Sequence, residues 1–322
     1  MNEPDRLSRA RGCLLGQLAG DSLGSLVEFC TPSEIRQRYP DGVRELADGG
    51  TWNTVAGQPT DDSEMALQLA RLLAEQGKYD PGEARKAYIL WLNSEPFDCG
   101  MTVASGLRGR LNPDSQANGA LMRISPLGIF GASFTSAAVA EWAREDAGLT
   151  HPHPVCQQAN ALFAMAIARA VGHGCSARNL YEQIVIWAQE MSADNSLLKT
   201  ILEAGQAPPP DYIRQQGWVL IALGNALWQL LFSSSLEEAV VDTVMRGGDT
   251  DTNAAICGAL MGAVYGREAI PDQWLESLLE CRPEAGRANV HRPRPRHFWP
   301  SDALELAERL LNPGRNGFPP GP

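Results

Sequence analysis

Two short acidic stretches, separated by most of the chain, constrain this sequence more than any other feature. They are Gln58-Pro59-Thr60-Asp61-Asp62-Ser63-Glu64-Met65 and Arg246-Gly247-Gly248-Asp249-Thr250-Asp251-Thr252-Asn253. Each reads as a loop turning into a helix, because Pro or Gly precedes it and helix-forming, apolar or small residues follow. A fold that joins the two turns makes an all-oxygen site from Thr60, Asp61, Asp62, Asp249, Asp251 and Thr252. Hard divalent cations such as Mg2+ or Mn2+ prefer that donor set. Helix capping is the competing explanation: Asp61 and Glu64 have capping-box spacing, and acids suit the positive end of a helix. One cap uses one side chain, whereas clustered carboxylates repel unless a cation or protons intervene.

The rest of the chain reads as helices. Residues 6 to 27 form a helix with Gly12, Gly16, Ala19, Gly20 and Gly24 at close spacing, and the segment 253 to 265 is equally rich in Ala and Gly. Small residues let a neighbouring helix come close and hold the second acidic turn rigidly. Asp21 and Glu28 lie near the end of the first helix, where a lone acid is ordinarily solvated or capping. Residues 30 to 60 are broken by Pro and Gly and read as an irregular connection. Apolar spacing predicts helices near 63–76, 81–94, 155–171, 177–190, 195–204, 212–232, 235–246, 272–281 and 301–311. Asp98 precedes a helix start as a cap would. Asn118-Gly119 forms a turn before an apolar helix.

His151 and His153 sit in a proline-bound loop with no partner Cys or His nearby, which argues against zinc and for loop structure or substrate contact. Gly172-His173-Gly174 follows a helix rather than a strand, so it ends a helix and binds no dinucleotide. Arg292-Pro293-Arg294-Pro295-Arg296-His297 reads as a solvated basic surface run. Without period-two strands or a composition break, one all-α domain follows over 1–312, with a flexible tail at 313–322.

A formal net charge of −11 argues against direct nucleic-acid binding. Seven cysteines lack metal or disulfide-scaffold spacing and fit a reducing compartment. No apolar run reaches membrane-spanning length and no signal-peptide core follows the polar start, so a cytoplasmic protein without membrane insertion is expected.

With both turns in hand, the sequence resembles the ADP-ribosylglycohydrolase family from about Arg11 to about Gly266. Gly16 to Glu28, Pro59 to Met65, Asn118 to Arg123 and Gly247 to Asn253 stand in the order of that family's motifs. The resemblance implies a compact, orthogonally packed, all-helical domain and a monomer. It implies two divalent cations, Mg2+ or alternatively Mn2+, held by Thr60, Asp61, Asp62, Asp249, Asp251 and Thr252. Glu28 matches an acid beside the centre, and Asp98 resembles the extra acid of the bacterial arginine-specific branch. Glu28 and Asp98 are therefore the candidate catalytic acids. Asn118, Gly119 and His151 match positions near bound ADP-ribose, with backbone N–H groups at the Gly100 and Gly119 turns facing the pyrophosphate.

The implied partner is an ADP-ribosylated protein or ADP-ribose conjugate, and the implied reaction is hydrolysis of its link to a side chain, arginine first. Such hydrolysis passes through a cation-like anomeric carbon that a neighbouring carboxylate stabilises. A hydrolase of serine-linked or O-acetyl ADP-ribose is the alternative enzyme. A non-catalytic ADP-ribose-binding relative is the alternative of another class.

Overall fold

In a computed structural model, which describes residues 5–313, the chain forms fifteen α-helices and no β-strand among the described residues. In order they are α1 (Arg6–Gly24), α2 (Pro32–Arg38), α3 (Asp61–Gln76), α4 (Pro81–Leu92) and α5 (Met101–Leu107). There follow α6 (Ser125–Gly131), α7 (Ser136–Gly148), α8 (Pro154–His173), α9 (Ala177–Glu190) and α10 (Asn195–Ala204). The chain ends with α11 (Val219–Phe232), α12 (Leu236–Met245), α13 (Thr250–Tyr265), α14 (Asp272–Glu280) and α15 (Ala303–Leu311).

The two small-residue helices pack on each other. A side-chain carbon at Gly16 would overlap the carbonyl of Gly258, and one at Gly258 would overlap that of Gly16. Gly12 meets Gly262 in the same way, and Gly20 meets Ala254. At the last rung Gly24 lies against the backbone of Thr250 and Asp251. The glycine spacing of α1 thus brings its C-terminus onto the second acidic turn, and the Thr250 hydroxyl donates to Gly24 O at 2.7 Å. Nearly all of α13 is buried, with α11, α12 and α8 on its other sides. One hydrophobic core runs through the molecule from α1 to α15.

The structure corrects several expectations. Part of the connection at 30–60 is helical: Thr31 and Glu34 form a capping box that starts α2, with Pro32 inside the first turn. That Pro marks a helix start, where its missing N–H costs nothing. α7, for which the sequence reading placed no helix, opens on the Thr135 hydroxyl cap. α11 begins at Val219 rather than 212, because the Asp211 carboxylate accepts from the amides of Ile213 and Arg214 and bends the chain first. The basic run is not a free surface segment. Arg294 is 7% exposed and pairs with Glu64 through two bonds of 2.7 Å. The tail assigned to 313–322 lies, beyond Pro313, outside the described residues. All seven cysteines are free thiols, and among the described residues no helix is long and apolar enough to cross a membrane.

Candidate metal centre

The first acidic turn is built by a residue outside it. Asp21 on α1 is fully buried and accepts from Thr60 N at 3.2 Å, Ser63 N at 3.1 Å and the Thr60 hydroxyl at 2.9 Å. It therefore caps α3 from another helix, satisfying amides that a helix start leaves open. Neither Asp61 nor Asp249 provides its own helix with a side-chain cap, and no Asp61–Glu64 capping box forms. Glu64 turns away to Arg294 and to the Trp91 indole at 2.8 Å. Freed from capping, Asp61 and Asp62 are available for ligation.

The second turn meets the first. Beyond burial, the Asp249 charge of the second turn raises both Asp61 and Asp62 of the first. The Asn118 amide donates to Asp249 Oδ2 at 2.7 Å, which fixes that carboxylate. Carboxylate oxygens of Glu28, Asp249 and Asp251 all lie within 4.8 Å of one another. Glu28 thus groups with the second turn as tightly as that turn groups within itself, although the sequence reading set it beside the centre as a catalytic acid.

Glu28 is held by its surroundings. Trp52 Nε1 donates to Glu28 Oε2 at 2.6 Å, and the Thr51 hydroxyl donates to Glu28 O at 3.0 Å. The following residue, Phe29, has a φ of 63° and is 56% exposed. A bulky residue in the left-handed region is costly and persists where other contacts over-determine it. Here Phe29 N donates to Gly248 O at 2.8 Å and Gly248 N to Cys30 O at 3.0 Å, tying the Glu28 segment to the second turn.

Asp98 is no helix cap either: Gly100 occupies the N-cap of α5, which has no side-chain cap. After burial, the Asp61 charge is the strongest electrostatic influence on Asp98, and Gly100 N donates to that Asp61 at 3.1 Å. That Gly100 amide is therefore directed at a carboxylate, not left open for the pyrophosphate expected there. His151 is fully buried, its Nδ1 bonded to the Thr150 hydroxyl at 2.8 Å and its Nε2 without a partner beside Gly119. Burial, with Arg123 adding to it, holds His151 neutral down to about 3.

Burial pushes every acid of the centre above the usual carboxylate range. Burial and then the Asp249 charge raise Glu28 to about 8, and burial and then the Asp61 and Glu28 charges raise Asp98 to about 10. Asp21 rises to about 7 and Asp61 to about 6, burial leading in both. Asp62, Asp249 and Asp251 are raised for the same first reason. Acids this close, with Glu28, Asp249 and Asp251 oxygens within 4.8 Å of one another, hold protons where a cation would otherwise sit.

The residues fit a divalent ion on structural grounds. Asp62 Oδ1 and Asp251 Oδ2 are buried without a hydrogen-bond partner. Buried carboxylate oxygens are normally paired, and like charges this close need a counter-ion. The donor set is all oxygen, as Mg2+ and Mn2+ favour.

The fold is all-helical and gathers buried acids from two distant helix starts. Residues 2–316 match the family model described as ADP-ribosylglycohydrolase, and the chain belongs to that family. It is 32% identical over 288 residues to the ADP-ribosyl-[dinitrogen reductase] glycohydrolase of Rhodospirillum rubrum, covering 86% of this chain and 92% of that one. It is 29% identical over 293 residues to the ADP-ribosylarginine hydrolase Tri1 of Pseudomonas putida, with 84% and 74% covered. To human ADP-ribosylhydrolase ARH3 the identity is 24% over 327 residues, with 84% and 89% covered. A solved ADP-ribosylglycohydrolase-related protein complex superposes with a TM-score of 0.79 at 25% identity, over 96% of this chain and 98% of that one.

Proposed function

We propose that this hydrolase releases ADP-ribose from a modified arginine side chain by cleaving the N-glycosidic bond. The supporting observation is Asp98, a half-buried carboxyl at the edge of the acidic centre that burial and then the Asp61 charge push well above the usual carboxylate range. The guanidinium of the conjugate is already cationic and departs as a neutral guanidine, which takes up the proton that the attacking water gives up, and a carboxyl beside the centre relays it. Asp98 stands in that role. Glu28, anchored by Trp52, faces the anomeric carbon as the carboxylate that activates water or stabilises positive charge.

Asp61, Asp62, Asp249 and Asp251, with Thr60 and Thr252, would hold the divalent ions, Mg2+ or Mn2+, which would supply Lewis-acid polarisation there. Asn118 orients Asp249 and so keeps the second turn in register. Gly119 and His151 line the ADP-ribose side. The cavity of about 620 Å³ lined by Gln116, Ala117, Arg214 and Gly217 adjoins this end, since Gly217 also stands beside Asp249 and Asn118. The resemblance of Asp98 to the arginine-specific branch and the arginine-linked activity named for Tri1 favour arginine over other linkages.

The test is release of free ADP-ribose from arginine-modified and serine-modified protein and from O-acetyl-ADP-ribose, each with Mg2+, Mn2+ or EDTA. Metal-dependent release from the arginine conjugate is expected. Release from the serine or acetyl conjugate alone would move the specificity to the other linkage. ADP-ribose binding without release from any conjugate would identify a binding relative.

A further inference from the structure

The two acids assigned to chemistry each carry an aromatic neighbour that the reaction does not use. Trp52 projects from the turn at 49–54, its indole N–H bonded to Glu28 and its ring 6.0 Å from that of Phe97, tilted by 52°. Phe97 immediately precedes Asp98 in the chain. Both rings are half-buried, so each keeps part of its surface open.

The pair is also held from behind. Arg292 Nε donates to Trp52 O at 2.9 Å. Two residues on, Arg294 donates to Ser94 O at 2.9 Å and Ser94 Oγ at 2.8 Å while pairing with Glu64. One C-terminal segment thus braces the Trp52 turn and the start of the Phe97 loop against α3.

We propose that Trp52 and Phe97 form the acceptor-side wall of the site and select a cationic leaving group, the guanidinium of arginine-linked ADP-ribose. This rests on the arginine reading above. A guanidinium is planar and weakly hydrated and stacks on aromatic faces, where the ring quadrupole attracts its charge. The Glu28 carboxyl, which accepts from the Trp52 indole, adjoins this wall. A serine hydroxyl or an acetyl group is neutral and gains nothing from such a wall, so the pair discriminates by charge.

Phe97→Leu and Trp52→Leu remove one ring each, and Trp52→Phe keeps a ring while losing the bond to Glu28. On ADP-ribosylarginine, Phe97→Leu and Trp52→Leu are expected to lower kcat/KM by roughly 3- to 30-fold, the range of one cation–π contact. Inhibition by methylguanidinium should weaken in parallel, while affinity for the product ADP-ribose stays at the wild-type value. Trp52→Phe should keep methylguanidinium inhibition. Arginine-linked turnover and methylguanidinium inhibition unchanged in both Leu variants would overturn the wall and leave the arginine activity standing. Equal loss of ADP-ribose affinity would also overturn it, by showing a purely structural role. A wild-type enzyme without arginine-linked turnover would overturn the wall together with the reading beneath it.

Discussion

At Arg123 a buried charge is matched on every side, whereas at the acidic centre buried charge is left open. Arg123 is fully buried and donates to Asp146 Oδ1 at 2.9 Å, Asp146 O at 2.8 Å and the Thr150 hydroxyl at 2.9 Å. Tyr88 donates to the same Asp146 at 2.9 Å and lies under the guanidinium, 4.5 Å from ring centroid to Arg123 Cζ. The acidic centre gathers seven carboxyl groups, those of Asp21, Glu28, Asp61, Asp62, Asp98, Asp249 and Asp251, each pushed above its ordinary range chiefly by burial. The first arrangement serves the fold, since it ties the turns around Gly119 and Thr150 into one piece. The second crowds acids that keep two carboxylate oxygens, Asp62 Oδ1 and Asp251 Oδ2, without a partner, which fits the binding of a cation. Burial alone does not separate the two regions; the presence of a counter-charge does.

The sharpest way to break this comparison is to unbalance the matched side. Arg123→Met leaves Asp146 buried without its ion-pair partner, and such a loss costs about 3–5 kcal/mol. Chemical denaturation of the full chain measures it. A loss below about 1 kcal/mol, the value of a surface pair, would mean that water reaches Asp146 and the site is not truly matched.

The same operation on the open side should have the opposite sign for stability. Asp251→Asn removes one of several crowded like charges and keeps a donor toward Glu28, so the metal-free protein is expected to melt higher than wild type. Turnover should fall by at least about 10²-fold, more than loss of a residue that merely orients a ligand. Thermal melts in EDTA and ADP-ribose release with Mn2+ check the two halves separately. Lower stability in EDTA would show that Asp251 is a structural carboxylate, and unchanged turnover would remove it from the centre.

How much of this could be read in advance differs between the two regions. The acidic turns are legible because their chemistry is written in consecutive residues, and a close approach at α1 because glycine recurs every fourth residue from Gly12 to Gly24, although the sequence does not name α13 as the partner. Asp21 was read as a lone acid, since its partners Thr60 and Ser63 come from another helix and no local spacing announces them. The Arg294–Glu64 pair escaped for the same reason, and proline on both sides of Arg294 made a buried anchor look like a surface run. α2 was legible in principle: Thr31-Pro32-Ser33-Glu34 carries a capping box and a first-turn proline. Residues whose partners are sequential were found, and those paired across the core were not.

The smallest expected effect concerns pH and bears on whether protons stand in for cations. Glu28, Asp21 and Asp98 reach about 8, about 7 and about 10 in the folded protein, whereas unfolded carboxyls titrate near 4. Their folded values are raised, so the folded state binds more protons between those limits. The stability they contribute is complete below the unfolded value and is lost as pH rises through the folded ones. The metal-free chain should therefore lose a few degrees of Tm between about pH 5 and 8. Divalent ions need the deprotonated ligands, so stabilisation by Mn2+ should grow over the same interval. Melts with EDTA and with Mn2+ across that range are expected to diverge as pH rises. Parallel curves would show that the acids are already ionised without metal, and that the open side of the comparison is balanced by some other charge.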